Sequence, residues 1–151
     1  MRRFNFRLNP LLMLREMKES EAARALRDAL ARQQTLEVAL SVAQSLSEAA
    51  RVNLDRTEGK RMGAVDFVGA LADFDRKLSE ERSAGEDVRK QSERVASARQ
   101  AWEQAVTELK TVGKLREKAA QVHRKGEARR EQLQLDEVGA RFAGTTMSTQ
   151  L

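Results

Sequence analysis

Apolar side chains recur every three or four residues along almost the whole of this chain. Before residue 57 they fall at Leu12, Ala22, Leu26, Ala29, Leu36, Leu40, Ala43, Ala50 and Leu54. After residue 63 they fall at Phe67, Leu71, Phe74, Leu78, Val88, Val95, Ala98, Trp102, Val106, Leu109, Val112, Ala119 and Val122. A 3.5-residue period is that of a coiled-coil seam, and a strand needs a period of two. One interruption, Thr57-Glu58-Gly59-Lys60-Arg61-Met62-Gly63, separates the two stretches. The pattern predicts an all-α fold in which two long helices form an antiparallel coiled-coil hairpin, with the second helix the longer. Such a fold offers surfaces to partners rather than a deep pocket.

Composition supports a narrow seam over a rounded core. The 151 residues are 40% hydrophobic but only 4% aromatic, and 34% are charged. A seam needs about two apolar side chains per heptad, each large one stabilising by roughly 1.5–3 kcal/mol when buried. The single proline is Pro10, so nothing later in the chain breaks a helix by losing its N–H. Asn9-Pro10 reads as a helix start, with Asn9 as N-cap and Pro10 as first helical residue.

These signals predict helix one over about 10–56, a turn over about 57–63 and helix two over about 64–140. Together they make a single hairpin domain, 1–143, followed by a disordered tail, 144–151, rich in Thr and Ser. Gly59 and Gly63 bracket the reversal, and a glycine near a helix end is a common C-cap. Gln33 and Ser47 are polar positions on the seam of helix one, where polarity weakens the pair but fixes its register. Gly85, Gly113, Gly126 and Gly139 are places for helix two to bend or fray. Paired from the turn, helix one covers helix two only to about Gly113–Glu117 and leaves an overhang bearing His123, Arg124, Lys125, Arg129 and Arg130. The first eight residues, basic and aromatic, fit either an extended arm or a helical first turn.

Chemistry is thin. The absence of cysteine excludes disulfides and thiolate catalysis, and one histidine, His123, is too little for a His-based zinc site. No phosphate-binding glycine loop follows a strand. Glu80-Glu81 lacks a water-excluding cleft and reads as helix-surface charge. The expectation is therefore no enzyme, no metal, no cofactor and no small-molecule substrate. Leu11 to Leu14 is too short an apolar run for a membrane span, and Arg2-Arg3-Phe4 lacks the apolar stretch of a twin-arginine signal. A cytoplasmic location is the default. A net charge of +5 permits acidic partners. The 28 basic and 23 acidic residues are interspersed, as in Glu86 with Lys90, which is the pattern of a solvated helix exterior. Glu127 and Glu131 interrupt the basic run at 124–130, which argues against nucleic acid as the partner.

Two local motifs carry a family resemblance. Arg3-Phe4-Asn5-Phe6-Arg7-Leu8-Asn9-Pro10-Leu11-Leu12, followed by Leu14-Arg15-Glu16, resembles the start of the FliJ family of flagellar type III export proteins. Glu127-Ala128-Arg129-Arg130-Glu131-Gln132, followed by Asp136-Glu137, is similar to that family's C-terminal signature. The resemblance covers nearly the whole chain. It implies a non-enzymatic coiled coil like the central stalk of rotary ATP synthases. That stalk binds the hexameric export ATPase FliI, promotes its assembly and activity, and couples it to the export gate protein FlhA, also contacting export chaperones. It further implies a role in flagellum biogenesis, motility and chemotaxis, with membrane association only through partners at the flagellar base.

By position, the resemblance assigns ATPase binding to Arg2, Arg3, Phe4, Phe6, Arg7, Leu8, Arg124, Arg129, Arg130, Glu131, Gln132, Asp136 and Glu137. It assigns gate binding to Leu71, Phe74 and Leu78, although Leu71 replaces an aromatic residue, and Glu81 and Gly85 stand where the family carries Ala and His. Phe74 and Leu78 also fit the seam, so core packing is the favoured reading of them. Two alternatives stay open from sequence: a general scaffold forming an intermolecular coiled-coil dimer, and the equivalent stalk of a virulence-type secretion system.

Overall fold

The computed structural model describes residues 3–59 and 63–147, with side chains through residue 144. Two helices account for almost all of it: α1, Asn9–Gly59, and the longer α2, Ala64–Met147, packed against each other. No strand occurs among the described residues. Both helices end later than the sequence predicts, α1 at Gly59 rather than near Arg56 and α2 at Met147 rather than near Ala140. Turn residues 60–62 and tail residues 148–151 lie outside the described residues.

Local chemistry explains the helix ends. The Leu8 carbonyl accepts from the Leu12 N–H at 3.0 Å, so α1 opens at Asn9, one residue before the expected first helical residue Pro10, and Leu8 takes the N-cap position. A 3.0 Å bond from the Asn9 N–H to the Phe6 carbonyl folds the preceding segment into a turn. At the start of α2 the Gly63 carbonyl accepts from Asp66 and Phe67, at 3.0 and 3.3 Å. Asp66 places a carboxylate in the first turn, where the helix dipole favours it. No described glycine has a positive φ, so Gly59 ends α1 in helical conformation rather than as a left-handed cap.

The seam of α1 is a strict three-four alternation. Leu12, Arg15, Glu19, Ala22, Leu26, Ala29, Gln33, Leu36, Leu40, Ala43, Ser47, Ala50, Leu54 and Thr57 are all buried or half-buried. Along α2 the matching set starts at Phe67, Ala70, Phe74, Lys77 and Glu81 and continues through Val88, Gln91, Val95, Ala98, Trp102, Leu109 and Val112. Leu71 and Val122, placed on the stripe by spacing, are exposed. Contacts divide the chain into two units, and in each the helices run antiparallel.

In the unit Ser20–Gln104, Gln91 donates to the Ala29 carbonyl at 3.0 Å, and a Cβ on Gly85 would sit 3.9 Å from Leu40 Cδ1. Gln91 is only 3% exposed, so this bond is made deep in the seam. Ser47 lies within reach of both the Gln44 carbonyl and the Glu81 carboxylate, and its one proton serves the charged acceptor. Glu81 is thus a seam residue rather than the surface charge the sequence suggests. On the exterior, Arg89 binds Glu86 at 2.5 Å and Glu93 at 2.7 Å, and Arg51 binds Glu48 at 2.8 Å. Glu86 pairs with Arg89 in place of the expected Lys90. Those hydrogen bonds hold the Glu48 and Glu86 carboxyls below the usual carboxylate range and raise both guanidinium pKa values.

In the unit Met1–Glu19 with Ala105–Leu151, Phe6, Leu12 and Val112 form a small core. Phe4, Leu11, Leu109 and Ala119 pack around it. Arg15, at a seam position, reaches Glu108 on α2 at 2.5 Å.

Candidate functional site

The N-terminal arm is the most distinctive part of the terminal unit. Arg3 to Phe6 is not helical, which settles the choice left open by the sequence in favour of an arm. Its alternating aromatic residues anchor it. Phe6 is 9% exposed against Leu12 and Val112, and the Phe4 ring lies 5.5 Å from the His123 imidazole at a 60° tilt. The arm therefore covers α2 as far as His123, beyond the end at Gly113–Glu117 expected from helix one alone. His123 is half-buried beneath Phe4 rather than on an uncovered overhang.

The residues expected to meet the ATPase fall into distinct settings. Arg2 lies outside the described residues. Arg3, Arg7 and Leu8 are exposed, Phe4 is half-buried, and Phe6 is an internal anchor. Arg124, Arg129, Arg130, Glu131, Gln132, Asp136 and Glu137 are all exposed on α2. Several are held by neighbours one turn away: Arg130 binds Glu127 at 2.7 Å, Gln132 donates to Asp136 at 3.0 Å, and Arg141 binds Glu137 at 2.9 Å. Arg124 and Arg129 make no ion pair among the described residues. From residue 128 to 144 every side chain on α2 is exposed, so this stretch is the true overhang within its unit.

Between the arm and α2 runs an open groove of about 560 Å³, lined by Arg3, Phe4, Asn5, Phe6, Asn9 and Arg116. Arg116 was not singled out by sequence reasoning, yet it left a signal. It occupies the heptad slot between Leu109 and His123, and it is exposed where its neighbours in that register are half-buried.

In the other unit, Leu71 is exposed, while Phe74 on the seam and Leu78 next to the seam residue Lys77 are half-buried. Val65 and Val68, at 85% and 61% exposure, extend the apolar surface at the start of α2. Val38, Val42 and Leu46 are exposed on α1 at four-residue spacing, off the seam, and were also missed. Among the described residues no cluster of His, Cys, Asp and Glu could hold a metal ion, and no helix is long and apolar enough to cross a membrane.

Two antiparallel helices with a thin seam and a pinned basic-aromatic arm define a coiled-coil protein. Residues 4–147 match the family model described as Flagellar FliJ protein, and the chain belongs to that family, a flagellar export-related coiled coil. No curated protein and no solved structure matched the chain.

Proposed function

We propose that this protein is the stalk of a flagellar type III export ATPase. It works without catalysis of its own, binding the hexameric ATPase FliI and coupling it to the gate protein FlhA, with export chaperones as further partners. In this reading residues 1–143 act as one hairpin domain. It resides in the cytoplasm and meets the inner membrane only through the export machinery at the flagellar base. Family membership over residues 4–147 favours the flagellar system over a virulence-type one.

The observation that carries the reading is the terminal unit. There the arm is pinned to α2 by Phe4 and Phe6 while Arg3, Arg7, Arg124 and Arg129 face solvent. A preorganised basic surface with apolar anchors suits the acidic and apolar walls of a protein ring. A stalk that binds the assembled ring better than free subunits favours assembly by mass action. Arg130, Glu131, Gln132, Asp136 and Glu137 extend this surface along the overhang. Leu71, with the edges of Phe74 and Leu78, is the proposed gate contact. Adding the protein to its cognate export ATPase tests the reading. Faster ATP hydrolysis and more ring are expected, with a drop of at least about tenfold in apparent affinity, roughly 1.4 kcal/mol, for Arg129→Glu. No stimulation by the unaltered protein contradicts the assignment.

A further inference from the structure

The groove between arm and α2 has chemistry that the stalk reading alone does not specify. Two guanidiniums, Arg3 on the arm and Arg116 on α2, converge on it, and no acidic side chain lines it. Neither arginine makes an ion pair among the described residues, so both are available to an incoming anion. Arg116 also stands at a seam slot where an apolar residue would have continued the pairing between Leu109 and His123. The groove lies beside this slot. The Asn5 and Asn9 carboxamides offer donors and acceptors for a peptide backbone, and Phe4 and Phe6 offer apolar wall. At about 560 Å³ the groove exceeds the needs of a single small anion and falls in the range of ligands with several groups.

The geometry points to this groove as the receptor for an acidic peptide segment of the partner ATPase, with Arg3 and Arg116 gripping its carboxylates. The inference rests on the stalk reading and names the chemistry of the contact. Arginine suits this task because its planar fork binds a carboxylate through two parallel hydrogen bonds.

The test uses the full chain with Arg116→Glu, Arg116→Leu and Arg116→Lys, and with Arg27→Glu, an exposed charge reversal in the other unit, as control. Arg116→Leu restores an apolar seam residue, so a loss of binding with an unchanged or higher melting temperature isolates the charge. Expected are at least about tenfold losses in ATPase affinity for the Glu and Leu variants, retention within about threefold for Lys, and no change for Arg27→Glu. If the unaltered protein stimulates the ATPase and Arg116→Glu and Arg116→Leu match it, the groove proposal is overturned and the stalk reading stands. If the unaltered protein leaves the ATPase untouched, the stalk reading and this partner fall together. A fluorescein-labelled hexaglutamate peptide then reads the groove's acid preference on the chain alone. Salt-sensitive binding lost in Arg116→Glu upholds that preference, and equal binding by Arg116→Glu, or none by either protein, overturns it.

Discussion

A polar residue inside a two-helix seam matters more than one on the surface, because a narrow core has few large side chains to outweigh it. Ser47 gives its proton to Glu81, a half-buried carboxylate. Ser47→Ala removes that donor, and chemical unfolding should show a loss of about 1–2 kcal/mol. A neutral result would mean that water already satisfies Glu81. Leu12 lies at 6% exposure between Phe6 and Val112, so Leu12→Ala should cost about 2–4 kcal/mol by the same measurement. An effect under about 1 kcal/mol would show that the small terminal core contributes little. These polar seam positions were the hardest part to read from sequence. Gln33 and Ser47 stood out because apolar neighbours on both sides framed them. Arg15, Glu19, Glu81 and Gln91 did not, because a search for apolar periodicity passes over charged and amide residues even when they keep the period.

At the scale of the helix, continuity and charge pairing govern stability. α2 runs unbroken through Gly85, Gly113 and Gly126, and an added Cβ meets only ordinary contact with Leu40 at the first and open space at the other two. Gly85→Ala and Gly113→Ala should therefore each stabilise the fold by up to about 1 kcal/mol, measured as a raised melting temperature. Destabilisation by either would mean that the glycine serves a bend. The exposed pairs Glu48–Arg51 and Glu86–Arg89 add a small pH-dependent contribution on the acid side. Both carboxyls have folded pKa values below the ordinary 4.5, so their contribution is complete above that value and disappears as pH falls through the lowered ones. Helical circular dichroism should stay flat from about pH 5 to 8 and decline in more acid solution, with a shallower decline in Glu86→Gln. An identical acid limb in that variant would contradict the pairing. Both helices were legible in the sequence because their period persists for many turns. Their ends were not, since Gly59 and the stretch beyond Ala140 stay helical without the punctuation that normally marks an end. The arm was half legible. Alternating Phe4, Phe6 and Leu8 allowed it, but its cover of His123 depends on tertiary packing.

At the scale of the molecule, one chain buries its own seam within each unit. The proposed binding surfaces depend on this pairing. The arm reaches α2 only if α1 runs back along it, and Arg3 and Arg116 share a groove only for the same reason. The family was legible because its motifs lie in local sequence at both ends of the pattern. The site was only partly so, since the partners of Arg130, Gln132 and Glu137 lie one turn away on their own helix, whereas Arg116 meets Arg3 across more than a hundred residues. The chain contains no cysteine, so two can be placed at will. The decisive measurement introduces them at Leu40 and Val88, both on the seam of one unit, and applies a short bifunctional maleimide reagent at low protein concentration. A self-paired chain gives a rapid intramolecular link in a species of monomeric mass, at a rate independent of dilution. Links formed only between two chains, vanishing on dilution, would contradict self-pairing.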